Sequence, residues 1–164
     1  KKFVSNKNLA VLGTNVTLIN DDSIEIVKNR KVPLMDKTIR SMMPYKNPFN
    51  HPSVVYRKSF VEMVGGYSNI YLYEDWFLWF KLSKLENVEF ENLDQKLLKY
   101  RIRTFNDRKG LKIIKAEYNF YLKLKNHGFI SFKVFLLNIS IKFFVRILPS
   151  NLYNLFKHKF DTIG

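Results

Sequence analysis

The chain has 164 residues, 46% of them hydrophobic and 16% aromatic, which supplies enough apolar side chain for one domain with a core and argues against a disordered segment. It contains no cysteine, which excludes disulfides, thiolate zinc sites and a cysteine nucleophile and fits a reducing compartment; its three histidines are too scattered for a zinc site of their own. The net charge of +14 is lopsided: residues 1–95 hold 13 Lys+Arg against 11 Asp+Glu, whereas residues 96–164 hold 15 against 3. Such a basic C-terminal part suits phosphate, whether of nucleic acid, anionic lipid or a diphosphate substrate, and charge alone does not choose among them.

Lys1 is not preceded by Met, and no signal-peptide pattern opens the chain, so the sequence reads as beginning inside a larger protein. From Leu9 to Val27, two apolar runs around Asn20-Asp21-Asp22-Ser23 predict an antiparallel hairpin. Residues 28–46 read as loop around Pro33 and Pro44, with a short helix from Asp36, as N-cap, to Met42. The segment Asn47-Pro48-Phe49-Asn50-His51-Pro52 predicts an ordered loop, and residues 53–57 a strand. Residues 58–64 predict a short helix that Gly65 and Gly66 end.

Glu74-Asp75 opens an apolar, aromatic run to Leu85 whose spacing predicts a helix largely buried on one side, with both carboxylates in its first turn. Residues 88–90 and 96–102 predict strands flanking a turn at Asn92-Leu93-Asp94. Residues 110–125 have the pattern of a basic amphipathic helix ended by Asn126-His127-Gly128. Residues 130–148 are apolar but carry Lys133, Lys142 and Arg146, which makes spanning a bilayer costly. On a helical wheel Ser131, Asn138, Lys142 and Arg146 share about a quarter of the circumference, a pattern suited to lying in a membrane interface or packing on the domain.

Two carboxylates at the head of an aromatic helix have a plain structural explanation, complementing the helix dipole. They also suit general-base chemistry, because an alcohol attacking an anomeric carbon must lose its proton and a carboxylate accepts it at neutral pH. Taken together and in this order, Asn47 to Pro52, Tyr56-Arg57-Lys58 and Glu74-Asp75-Trp76-Phe77-Leu78-Trp79 resemble the acceptor half of a family 2 glycosyltransferase of the GT-A fold, of the kind that builds bacterial surface polysaccharides. The resemblance covers about residues 9–104, with residues 105–164 similar to the basic helical extension of such enzymes.

The resemblance implies an α/β fold, α+β within this chain: the C-terminal part of a nucleotide-diphospho-sugar transferase in residues 1–105, followed by basic amphipathic helices in 106–164 at the membrane surface. It implies Asp75 as general base, with Glu74 orienting it or bonding an acceptor hydroxyl, and Asn50 and His51 facing the sugar site; of two tryptophans able to stack on a sugar ring, Trp76 is the candidate for the acceptor side, with Trp79 packed beneath it. For His51 a plain backbone-satisfied role stands beside that one, and Gly65-Gly66 is read as a tight turn that lets Tyr67 and the following loop approach the site. The run Tyr100-Arg101-Ile102-Arg103 stands where relatives carry Tyr-Arg-x-His; Arg101 and Arg103 are thereby candidates for the leaving diphosphate, and Arg103 in place of His puts a metal ligand there in doubt. No Asp-x-Asp motif occurs, so the implied divalent metal, Mg or Mn, would find its main ligands outside this chain.

The implied partners are a nucleotide-sugar donor, a glycan or lipid-linked glycan acceptor and an anionic membrane surface, with no nucleic acid, at the cytoplasmic face of the cell membrane or in the cytoplasm. Alone, the chain is expected to lack turnover. The alternative is a basic membrane-surface or nucleic-acid-binding module without catalysis, which leaves the acid pair without a purpose.

Overall fold

The computed structural model describes residues 1–25, 31–101 and 111–147. They divide into two compact units, one from the described residues of 1–43, 47–69 and 74–101, the other from 44–46, 70–73 and 111–147.

The first unit is built on a sheet in the order β2-β1-β3. Its central strand β1, Leu9–Ile19, is buried along nearly its whole length, as a strand covered on both faces must be. β3, Glu89–Arg101, runs parallel to it, and β2, Val55–Tyr56, pairs antiparallel through Val11 with Tyr56 and Leu12 with Val55. A parallel pair needs a long crossover, here formed by α2 (Asp36–Met42), α3 (Lys58–Met63) and α4 (Glu74–Leu82); α1, Lys2–Ser5, precedes the sheet.

Several sequence expectations change. The turn at residues 20–23 forms, with Ser23 at φ 65°, yet the returning strand of the hairpin is a single antiparallel bridge between Ile19 and Glu25; residues 26–27 lie outside the described part. The main partner of β1 is β3. Asp36 is the first residue of α2 and not its cap; its carboxylate receives Arg40 Nε at 2.8 Å and the backbone N–H of Phe90 at 3.0 Å. The strand predicted for 53–57 contracts to two residues because Ser53 closes a 3-10 turn, His51–Ser53.

The turn expected at Asn92-Leu93-Asp94 is absorbed into one continuous strand, where irregular register opposite Thr14 and Asn15 accommodates it. Asn92 does not turn the chain because its amide is used elsewhere, donating to Pro33 O at 2.7 Å and Pro48 O at 3.1 Å. Gly13 on β1 makes this possible: a Cβ there would lie 2.1 Å from Asn92 Oδ1 and 2.9 Å from Phe49 Cδ1. Glycine at 13 is therefore a packing requirement.

Helix α4 stops at Leu82, and its burial is not one-sided: Asp75 through Phe80 and Leu82 are all buried. A short helix this apolar all round can only be interior. Phe49 lies edge-on to Trp79 at 5.2 Å between ring centroids and tilted against Phe90 at 6.1 Å, so one aromatic cluster joins the 47–53 loop, α4 and β3. Each such ring, fully buried, contributes about 1.5–3 kcal/mol.

The second unit contains α5, Leu111–Asn126, and α6, Phe132–Ile147. Here the polar quarter of the wheel turns inward. Asn138 is buried and donates to Pro44 O at 3.2 Å and Val134 O at 2.8 Å, and Arg146 pairs with buried Glu117 at 2.7 Å. The Lys142 ammonium stands 5.8 Å from the centroid of the Tyr121 ring. The outward side of α6 instead exposes Phe132, Leu136, Leu137, Phe143 and Phe144. Buried Glu117 on α5 thus draws Lys142 and Arg146 of that wheel inward within the unit, while Ser131 stays exposed. No helix among the described residues is long and apolar enough to cross a membrane.

Candidate active site

Glu74 and Asp75 occupy the first turn of α4, where the positive end of the helix favours carboxylates. Asp75 is recessed, with 8% of its surface exposed, whereas Glu74 is half-buried. Asn47 Nδ2 donates to Asp75 Oδ2 at 2.7 Å, and His51 Nδ1 stands 3.9 Å from the same oxygen. The His51 side chain is 43% exposed, so imidazole and carboxylate form a mouth and a floor.

The loop that delivers these groups is rigid for reasons readable atom by atom. Asn47 Oδ1 accepts the backbone N–H of Phe49 at 3.2 Å, an Asx-type turn that fixes which end of the amide faces Asp75. Asn50 Nδ2 donates to Thr14 O at 2.9 Å, and Ser53 Oγ accepts from Thr14 N at 3.1 Å. Asn92 holds Pro48 O, and Phe49 is anchored in the core. The loop is thus fastened to β1, β3 and α4 together.

A second wall comes from the glycine turn. Gly65 and Gly66 adopt φ 72° and 65° with open space where a Cβ would stand, so their need is backbone conformation and not room. Lys81 of α4 donates to Val64 O at 2.9 Å and Gly66 O at 2.5 Å, clamping the turn. Tyr67 then meets His51 edge-on at 6.1 Å and Tyr56 at 6.4 Å. Burial, followed by the neighbouring Tyr56 with its side-chain hydrogen bond and by the charges of Asp75 and Glu74, pushes the Tyr67 hydroxyl up to about 12. It remains a protonated donor across the physiological range.

Of the residues singled out in the sequence, Glu74, Asp75 and His51 converge. Asn50 is adjacent but only 3% exposed, and its amide is engaged by Thr14 O. Trp76 is 4% exposed, and its indole N–H donates to Met43 O at 2.9 Å, so it belongs to the core together with fully buried Trp79. Arg101 lies far down β3, its guanidinium donating to Asn20 O and Asp21 O at 2.5 Å and to Ser23 Oγ at 3.0 Å; it staples the 20–23 turn. Arg103 lies outside the described residues. Arg57, part of the quoted motif, is also structural, with Nη2 donating to Phe3 O at 2.8 Å and Asn6 O at 3.1 Å.

The sequence reading missed two contributors: Asn47 and Lys81. For Asn47 the signal was the Asn-Pro-Phe order; for Lys81 there was none, since a lysine at a helix end is commonplace. Among the described residues no three His, Asp or Glu side chains gather as metal ligands.

No family model matches the chain. Its sequence is nevertheless similar to those of bacterial glycosyltransferases that serve polysaccharide biosynthesis. It is 38% identical over 128 residues to the UDP-Gal:alpha-D-GlcNAc-diphosphoundecaprenol beta-1,3-galactosyltransferase of Escherichia coli, covering 74% of this chain and 44% of the relative. It is 32% identical over 109 residues to an O-antigen biosynthesis glycosyltransferase of the same species, covering 66% and 42%. With the amylovoran biosynthesis glycosyltransferase of Erwinia amylovora the figures are 34% over 125 residues, covering 73% and 46%. The chain spans a little under half the length of these curated relatives.

Proposed function

We propose that this chain is the acceptor-side part of an inverting glycosyltransferase of the family 2, GT-A type, which moves a sugar from a nucleotide donor onto a glycan or lipid-linked glycan in surface-polysaccharide biosynthesis. The observation that carries the reading is the recessed Asp75 carboxylate at the head of α4, held by Asn47 at 2.7 Å and fronted by His51, in a chain similar to glycosyltransferases. In this reading Asp75 takes the proton of the acceptor hydroxyl as its oxygen bonds to the anomeric carbon and the nucleoside diphosphate departs from the opposite face. Asn47 fixes the carboxylate, His51 bonds a neighbouring sugar hydroxyl, and Glu74 adds negative charge that favours proton uptake. The first of the E. coli relatives acts, by its name, on a sugar carried by a lipid diphosphate, which fits an acceptor of that class here. The donor pocket and the ligands of an Mg or Mn ion on its diphosphate belong to a part of the enzyme outside this chain; no step is assigned to that ion. Of the two arginines, Arg103 keeps the diphosphate role in this proposal, since Arg101 is committed to the turn.

The second unit suits the cytoplasmic membrane face. Its described residues carry one carboxylate, buried Glu117, against exposed Lys112, Lys115 and Lys133 beside the apolar outer side of α6. Phenylalanine and leucine set among lysines match an anionic bilayer surface better than nucleic acid, whose partners stack on aromatics inside a groove.

The test is sugar transfer by the full-length protein in membranes supplied with a panel of nucleotide sugars, native against Asp75→Asn. Transfer that falls by a factor of 100 or more with donor binding retained supports the reading. Equal transfer by both forms would leave the acid pair as a helix-start feature.

A further inference from the structure

Beside Asp75 stand the part-exposed rings of His51, Tyr67 and Tyr56. Tyr67 and Tyr56 are 42% and 37% exposed, their rings 6.4 Å apart and roughly perpendicular, with His51 edge-on to Tyr67. Both tyrosines are held in place. Tyr56 sits on β2 opposite Val11, and Tyr67 follows the Gly65-Gly66 turn that Lys81 clamps through two carbonyls. Arg57 is tied to the carbonyls of Phe3, Asn6 and Leu9, and Lys58 stands 3.3 Å from Glu62. The carboxylates of Asp75 and Glu74 are close enough to act on the Tyr67 hydroxyl.

We infer that Tyr67 and Tyr56, with His51, form an acceptor subsite for a neutral pyranose ring, whose apolar C–H face lies on the Tyr67 ring while one ring hydroxyl reaches Asp75. The inference rests on the proposed function and deepens it. A tyrosine face is electron-rich and attracts the weakly positive C–H groups of a sugar, and its hydroxyl bonds a polar edge. A rigid aromatic with two torsions loses little entropy on binding, which is why such residues serve as anchors. Two carboxylates repel a phosphate or uronate at the same position. The subsite therefore selects an acceptor that already ends in an uncharged sugar.

Steady-state transfer by the full-length protein to alkyl pyranosides tests this, with neutral glycosides compared against their phosphorylated counterparts. Tyr67→Ala is expected to raise the acceptor KM about tenfold with the donor KM unchanged, and Tyr67→Phe to stay within about twofold of native. Tyr56→Ala, on an exposed strand position, is expected to shift the same constant in the same direction. The phosphorylated acceptor should have a KM at least about tenfold above its neutral parent. Unchanged acceptor KM in both alanine variants, or equal use of charged and neutral acceptors, overturns the subsite and leaves Asp75 as base intact. Undiminished transfer by Asp75→Asn in the same assay overturns the catalytic reading and the subsite with it.

Discussion

Asn47 Nδ2 lies 2.7 Å from Asp75 Oδ2, and the other end of the same amide accepts the Phe49 N–H, so a residue of an irregular loop fixes the orientation of a helix-borne carboxylate. Asn47→Leu, similar in size but without the donor, removes that bond. The expected result is a fall in kcat of about tenfold with little change in donor KM, read from initial rates of the full-length enzyme.

Gly13→Ala drives a methyl group into Asn92 Oδ1 and the Phe49 ring. Overpacking of this kind costs about 1–3 kcal/mol, measurable as a lower denaturation midpoint. Combining it with Asn92→Ala removes the obstructing oxygen, so the double variant should be more stable than the sum of the two single losses.

Glu117 is 3% exposed and paired with Arg146 at 2.7 Å, with Lys142 beside it. Glu117→Gln leaves two cations facing each other inside the second unit. A loss of about 3 kcal/mol is expected, and near-native stability in a denaturant titration would argue against a buried pair.

Burial lowers the Lys142 ammonium below its usual value of 10.5, against the opposing pull of Glu117 and with added push from Arg146 and Lys46. A base depressed in the folded state binds fewer protons there than in the unfolded chain. Stability of this unit should accordingly rise with pH in the window below 10.5. Tyr121, raised well above 10.0 by burial and then by Glu117 and Tyr73, acts oppositely: its contribution is complete below pH 10 and declines above it. Lys142→Met should raise the melting temperature at neutral pH and flatten the upward slope, as followed by thermal melts across pH.

Replacing Phe143 and Phe144 together by Ser removes two exposed rings from the outer side of α6. Binding to phosphatidylglycerol vesicles should weaken at least about tenfold while sugar transfer to a soluble glycoside persists. Cosedimentation equal to native would remove this helix from the membrane proposal.

The helix at Glu74 and the recessed acid at its start were legible because an acid pair abutting a continuous aromatic run leaves few alternatives. The strand at 89–101 was legible at its two ends but not through its middle, since Asn92 and Asp94 are turn formers by local preference and only the distant Pro33 and Pro48 carbonyls recruit Asn92 into a sheet. Trp76 illustrates a different limit: its proximity in sequence to Asp75 suggested the sugar side, while helical geometry sends the next residue about a hundred degrees away, toward Met43 O. Tyr67, seven residues before that helix begins, reaches the site through the Gly65-Gly66 turn, whose hold by Lys81 no local pattern announces.

The contact of Gly13 with Asn92 also bears on how such a sequence drifts over generations. A side chain gained at 13 is tolerable only after 92 has become smaller, and 92 cannot shrink without loosening the loop that carries Asn47 and His51. Two sites distant in the gene are thereby bound to a common history, and descendants of this chain should keep or exchange them as a pair.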